Sequence, residues 1–224
     1  PEEHNRIITD HCSDLLLAPT ETALQNLTHE GLGGRTRLVG DIMVDSLNFV
    51  KKSLENTPIN IEELCRTSED FVLATIHRAE NTGDRSRLNS LIEVLSNFDI
   101  PVVLPAHPRL IDHCNTFDIE LSKGSLIIVP PLSHRELIAT AIASKSVVTD
   151  SGGLQKECFL LKVPCSTIRT ETEWKETLVD DWNIIVDDLS DLQELCKRTT
   201  LDSEQPTPFG NGQTAERIID CLFE

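Results

Sequence analysis

Four short polar segments hold the side chains best suited to bind an anion. They are His77-Arg78-Ala79-Glu80-Asn81, His107-Pro108-Arg109, Asp150-Ser151-Gly152-Gly153-Leu154-Gln155-Lys156-Glu157 and Arg169-Thr170-Glu171-Thr172-Glu173-Trp174. In the third, two glycines allow the backbone close to a ligand, and the helix that follows offers free N–H groups at its positive end. That makes Ser151, Gly152 and Gly153 a phosphate or diphosphate seat, or else a plain tight turn. Glu157 lies about four residues into the helix, roughly 6–9 Å along it. Its carboxylate is placed to accept both hydroxyls of a ribose, unless it is an ordinary solvated helix residue. Phosphate donors followed by a ribose acceptor spell a nucleotide. His77 and His107, each accompanied by an arginine (Arg78, Arg109), can donate to a diphosphate or sugar. The plainer alternative is a pair of structural histidines at strand ends. Glu2 and Glu3 head a polar helix with Asn5 and Arg6, where acids also serve simply to complement the helix dipole.

These segments need strands and helices to hold them. Each follows a short β-branched apolar run: Phe71–Ile76, Val102–Pro105, Ser146–Thr149 and Cys165–Ile168, with further runs at Leu126–Val129 and Asn183–Val186. Helical patterns separate most of them. Arg85–Phe98 places Leu88, Leu91, Ile92 and Leu95 on one face. Pro108–Glu120, Ser133–Ala143, Gly153–Leu161, Leu189–Thr199 and Gln213–Phe223 are the other helices expected after the first of these strands. Val102-Val103-Leu104 and Leu126-Ile127-Ile128-Val129 are apolar on both faces, the mark of strands in a parallel sheet covered by helices. The fold class is therefore α/β, a doubly wound, Rossmann-like parallel sheet from about residue 40 onward. In such a sheet ligands bind beyond the carboxyl ends of the strands, where the four segments lie. Upstream, Leu15–Ala18 and Thr36–Gly40 are two more strand candidates, and a helix follows from about Asp41 to Leu54. Ser203–Gly212, rich in Pro, Gly and polar residues, is expected to be a linker to a detached last helix.

Composition narrows the partners. The chain has 224 residues, 20 Lys+Arg against 37 Asp+Glu, and a net charge of −17. So acidic a chain repels a phosphate backbone, which argues against nucleic acid as a partner. The hydrophobic fraction of 39% with 25% charged residues is that of a globular domain. No apolar run approaches the roughly 18 residues of a membrane span, and Pro1-Glu2-Glu3-His4 is no signal peptide. Seven cysteines without a C-x-x-C pair suggest buried, reduced thiols in a cytoplasmic protein, and seven histidines include no metal-ligand spacing. No metal, nicotinamide or flavin cofactor is expected. The single methionine is Met43, and the chain opens within a helix pattern, as a processed start or a fragment would.

Taken together, the motifs resemble the non-hydrolysing UDP-N-acetylglucosamine 2-epimerase family. The matching residues, in family order over essentially the whole chain, are Pro1-Glu2-Glu3-x-Asn5-Arg6, Ala18-Pro19-Thr20-Glu21-Thr22, Val39-Gly40-Asp41-x-Met43-Val44-Asp45 and His77-Arg78-x-Glu80-Asn81. They continue with Pro105-x-His107-Pro108, Thr149-Asp150-Ser151-Gly152-Gly153-x-Gln155-x-Glu157, Thr172-Glu173-x-x-Glu176 and Pro208-Phe209-Gly210-x-Gly212. The resemblance implies the C-terminal half of a GT-B type two-domain fold. Residues 1–39 would be the final elements of an N-terminal Rossmann-like domain, 40–212 a UDP-binding Rossmann-like domain, and 213–224 a terminal helix packing back toward the first. It implies an isomerase that interconverts UDP-GlcNAc and UDP-ManNAc for polysaccharide precursor synthesis. The C2 proton is abstracted, UDP departs anti to leave 2-acetamidoglucal, and UDP then re-adds. Catalytic roles fall on Glu2 and His77. Substrate contacts fall on Arg6, Arg78, His107, Ser151, Gly152, Gly153, Glu157, Arg169, Thr172 and Glu173. The resemblance also implies a homodimer, further catalytic carboxylates in a domain absent from this chain, and hence no turnover by these residues alone.

Three departures bear on the substrate, one of them Leu132 and Leu137, which stand where some members have a polar and an aromatic nucleotide contact. Trp174 stands where many members carry an arginine that contacts substrate, a charge Arg169 is placed to supply, and Lys156 replaces a frequent glutamate. The Thr172-Glu173-Trp174 form is similar to a subgroup that includes UDP-2,3-diacetamido-glucuronate 2-epimerases. Other readings of the same residues are a GT-B glycosyltransferase, a non-catalytic UDP-sugar-binding module, and a hydrolysing epimerase.

Overall fold

The computed structural model describes residues 2–198 and 205–223, which form two compact units, Pro1–Ser53 with Ser203–Glu224 and Leu54–Asp202. In the first unit come α1 (Glu2–Cys12), β1 (Leu16–Ala18), α2 (Glu21–His29), β2 (Thr36–Leu38) and α3 (Ile42–Asn56), whose last turn passes Ser53. The second unit runs through α4 (Ile61–Cys65), β3 (Val72–Thr75), α5 (Ala79–Thr82), α6 (Arg85–Ser96), β4 (Val102–Pro105), α7 (Pro108–Phe117) and β5 (Leu126–Val129). It continues with α8 (His134–Ala143), β6 (Ser146–Thr149), α9 (Gly152–Leu161), β7 (Cys165–Thr167), β8 (Asn183–Ile185) and α10 (Leu192–Leu195). The first unit then closes with α11 (Thr214–Phe223).

In the second unit six strands form one sheet in the order β5-β4-β3-β6-β7-β8, every pair parallel. Counted from β3, that is the strand order 3-2-1-4-5-6 of a doubly wound sheet, and its direction of winding reverses between β3 and β6. Alternate residues of each strand feed opposite cores. Val72 and Ala74 pack with Leu88, Leu91, Ile92 and Leu95 of α6, all four leucine and isoleucine side chains fully buried. Leu73 and Val147 pack on the other face with Ala141 of α8 and Leu154 and Cys158 of α9. The helix starts are written locally. Asp84 caps α6, His107 caps α7 ahead of Pro108, Ser133 and Glu136 form a capping box on α8, and Ser151 caps α9.

The first unit holds a two-stranded parallel sheet, β1 with β2. Residues 205–212 are not the open linker that their composition suggests, and residues 203 and 204 lie outside the described residues. Phe209 is fully buried, its carbonyl accepts from the Asp41 amide at 2.8 Å, and the Gly210 Cα lies against Gly40. Gly40 has φ +92°, and a Cβ there would sit 2.9 Å from Thr214 Oγ1, so only glycine fits. Nor is α11 detached. Asp45 of α3 accepts the amides of Thr214 and Ala215, which would otherwise lack acceptors in the helix's first turn.

There are three further differences. Expected as one helix, Leu189–Thr199 is a 3-10 turn, Leu189–Asp191, followed by α10, and Thr199 lies outside the described residues. The Asp188 carboxylate caps Ser190 and tightens that start. The stretch Lys175–Asp181 holds short 3-10 turns broken at Val179 and Asp180, with no apolar period to announce them. All seven cysteines are free thiols, but Cys12, at the end of α1, is exposed and Cys221, on α11, only half-buried.

Candidate functional site

The reversal point of the sheet is built by a pair of threonines. Thr75 ends β3 and Thr149 ends β6, in register, and their hydroxyls hydrogen-bond at 2.6 Å. Directly beyond them the two strands deliver His77 and Asp150. The Asp150 carboxylate is fully buried. It accepts the amide of Arg78 at 2.9 Å, the amide of His77 at 3.1 Å and the side-chain amide of Asn81 at 3.2 Å. The Nδ1 of His77 lies 3.0 Å from its other oxygen. Asn81 also donates to the Ile168 carbonyl, which joins the end of β7 to the same knot.

Electrostatics follow from that geometry. The hydrogen bond to Asp150 holds the His77 imidazolium, raising its pKa above the ordinary 6.5 against the opposing effect of partial burial. Burial alone would raise the Asp150 carboxyl. The hydrogen bonds from His77, Arg78 and Asn81 outweigh it, and the group titrates below the ordinary 3.8. With Nδ1 committed to Asp150, Nε2 of His77 is left for a ligand. His107 stands beside it, ring centres 6.4 Å apart, its own Nδ1 accepting the Arg109 amide. The Arg109 guanidinium reaches back to the His77 carbonyl at 3.3 Å. Both imidazoles line a cavity of about 150 Å³ with Thr75, Ile76, Pro105, Pro131, Leu132 and Leu137.

Next to the knot, α9 begins. The Ser151 hydroxyl accepts the Leu154 amide at 3.3 Å, leaving the amides of Gly152 and Gly153 as the open donors of the first turn. A Cβ on Gly152 would lie 3.1 Å from Glu173 Oε1, 3.3 Å from Arg169 Nη1 and 3.4 Å from Trp174 Nε1, so the loop after β7 closes over this turn. In that loop Arg169 pairs with Glu173 at 2.8 Å. Burial pushes the Glu173 carboxyl up, but its own backbone amide and the Arg169 charge bring it below the ordinary range.

Further along α9, Gln155, Lys156 and Glu157 are all buried, where their types suggest a solvated helix face. Gln155 accepts the Thr172 hydroxyl at 3.0 Å and donates to Thr177 Oγ1 at 2.7 Å. The Lys156 ammonium sits 3.7 Å from the centre of the Trp174 ring. One Glu157 oxygen meets His134 Nε2 at 2.6 Å.

Of the residues singled out from sequence, His77, Arg78, His107, Ser151, Gly152, Gly153, Glu157, Arg169, Thr172 and Glu173 all belong to the second unit, at or after the carboxyl ends of β3, β4, β6 and β7. Glu2 and Arg6 belong to the first. Glu2 opens α1, and its side chain lies outside the described residues. The Arg6 guanidinium is engaged by Glu3, Asp10 and Glu30 at 2.7, 2.6 and 2.9 Å, which holds its pKa well above the usual arginine value. The sequence assigned no site role to Asp150, His134 or Gln155. Asp150 and Gln155 stand in the matching Thr149–Glu157 motif, which carried a signal for them, whereas His134 had none beyond starting a helix that follows a strand.

The description of the family model that matches residues 1–223 is "UDP-N-acetylglucosamine 2-epimerase". A UDP-2,3-diacetamido-2,3-dideoxy-D-glucuronate 2-epimerase from Pseudomonas aeruginosa is 38% identical over 99% of this chain and 63% of its own length. A UDP-N-acetylglucosamine 2-epimerase homolog from Methanococcus maripaludis is 37% identical over 99% of this chain and 64% of its own. The crystal structure of Methanocaldococcus jannaschii UDP-GlcNAc 2-epimerase, in complex with UDP-GlcNAc and UDP, superposes with a TM-score of 0.85 at 34% identity. It covers all of this chain and 64% of that one, so the chain spans somewhat less than two thirds of the relatives it matches. With that match running from end to end over a Rossmann-like sheet of the GT-B kind, the chain belongs to the UDP-N-acetylglucosamine 2-epimerase family.

Proposed function

We propose that the protein is a cytoplasmic, homodimeric UDP-N-acetylglucosamine 2-epimerase in which these residues supply the UDP-binding side of the site. The observation that carries this is the His77–Asp150 pair at the point of sheet reversal, set beside the open first turn of α9. Epimerisation at C2 needs a base for a weakly acidic C–H and a seat for the departing diphosphate. The Gly152 and Gly153 amides and the helix dipole take the β-phosphate as the C1–O bond breaks. Its electron pair leaves with UDP, and the C2 proton goes to a carboxylate, giving the glucal. Asp150 favours the imidazolium form of His77, which donates through Nε2 to the same charge. Glu2 is one of the carboxylates assigned to proton transfer. The others belong to sequence that the relatives have in addition, so residues 1–224 alone bind UDP and do not turn over.

Solvent deuterium tests the reading. In a chain extended to the length of its relatives, NMR of UDP-GlcNAc in D2O should show deuterium entering at C2. An epimerised product that keeps its C2 proton overturns the mechanism, and substantial turnover by residues 1–224 overturns the division of labour. The free oxygen of Glu157 is assigned to the ribose hydroxyls. Glu157→Ala should weaken UDP binding about tenfold or more, given about 1.5–3 kcal/mol for hydrogen bonds to a charged acceptor. Unchanged affinity by titration calorimetry removes Glu157 from the site.

A second reading, UDP-2,3-diacetamido-glucuronate 2-epimerase, is favoured by the Pseudomonas aeruginosa relative and by the Trp174 and Lys156 pair. Comparing turnover of the two UDP-sugars by the extended chain decides between them.

A further inference from the structure

Lys156 is the least expected residue of the second unit. A lysine 4% exposed is costly in any protein, and this one lies on the very helix whose first turn is assigned to the diphosphate. Its ammonium rests on the face of Trp174, 3.7 Å from the ring centre. The other edge of the same ring comes to Gly152, where Trp174 Nε1 lies 3.4 Å from the position a Cβ would take. The indole thus bridges the middle of α9 and its first residue. Around it the loop is tied down twice more: Thr172 donates to Gln155 Oε1, and Thr177 donates to the Trp174 carbonyl at 2.7 Å while accepting from Gln155. Arg169 and Glu173 ride on the same loop and also meet the Gly152 position.

We propose that Lys156 and Trp174 act as one unit that docks the 169–174 loop onto the diphosphate seat, as positioning residues for UDP rather than contacts to it. This rests on the reading of the Ser151–Gly153 turn as that seat. A cation on an indole face, screened from water, is among the stronger forms of this interaction. It fixes the ring plane, and the ring plane fixes where Arg169 and Glu173 stand over Gly152.

The test is UDP titration calorimetry on the 224-residue chain with thermal melts of each variant. Lys156→Met and Trp174→Leu should each weaken UDP binding about tenfold, and the double variant should be no weaker than the worse single, since the two residues share one function. Lys156→Arg, which keeps a cation over the ring, and Trp174→Phe, which keeps a face under it, should bind within about threefold of the parent. Lys156→Met should lose affinity that Lys156→Arg restores at the same melting temperature as Lys156→Met, which a merely structural lysine would not produce. Independent losses that multiply to about a hundredfold overturn the coupling. So does parent-like affinity in either Lys156→Met or Trp174→Leu. Should Lys156→Met not fold, the placement role is refuted, and the Trp174→Leu and Trp174→Phe comparison still reads out the ring alone. If the parent itself does not bind UDP, the reading of the seat fails first, and that outcome is distinct from all of these.

Discussion

Replacing His77 with asparagine is expected to lower kcat of the extended enzyme by about 10²–10³-fold, the range lost when one positioned proton donor or anion-hole donor is removed. The asparagine amide can still donate to Asp150 from the place of Nδ1, so the knot at the strand ends survives and only Nε2 is lost. The side chain is 44% exposed and carries little of the core, so the variant should fold as the parent does. The pH profile separates this role from a structural one. Asp150 raises the His77 pKa above 6.5, so the donating form persists above that pH and is lost as pH rises through the folded value. Parent kcat/KM should fall along that limb, and His77→Asn should lack it. A variant within threefold of the parent, or one that keeps the same limb, refutes the assignment.

The strands and the glycine turn were legible for a local reason. Val102-Val103-Leu104 and Leu126-Ile127-Ile128-Val129 are apolar at consecutive positions, which only a two-sided core rewards, and the structure buries Val102, Val103 and Leu104 completely. The strand ends then fixed where polar segments would converge. What the sequence hid was pairing at a distance. Asp150 meets His77 across 73 positions, and no local pattern encodes that meeting. The polar run Gln155-Lys156-Glu157 was hidden differently. Its residue types belong on a solvated face, but the loop after β7, without period of its own, folds across Gln155 and Lys156, and His134 of α8 meets Glu157. Phe209 makes the same point. Proline and glycine around it announced a turn, while its burial within the first unit is a tertiary matter.

Asp150→Ala should destabilise the second unit by about 3 kcal/mol, since removing a buried acceptor strands donors worth about 1–3 kcal/mol each. The amides of His77 and Arg78 lose their acceptor, while Asn81 keeps its bond to the Ile168 carbonyl. The urea midpoint should drop by about 1–2 M, taking about 2 kcal/mol/M as the slope. Its pH dependence follows from both partners. The Asp150 pKa is lowered by folding, so its contribution is present above 3.8 and is lost as pH falls through the folded value. The His77 pKa is raised by folding, so its contribution is full below 6.5 and is lost as pH rises through the folded value. The difference between parent and Asp150→Ala should therefore be largest between those two values and shrink on either side. Asp150→Asn keeps the shape but turns an NH₂ toward backbone donors, so it should recover only part of the loss. It should also bring the His77 pKa back down, visible by NMR of the imidazole. A midpoint unchanged in Asp150→Ala, or a difference flat with pH, would mean that the buried carboxylate does not organise the strand ends. His77 would then need another cause for its position.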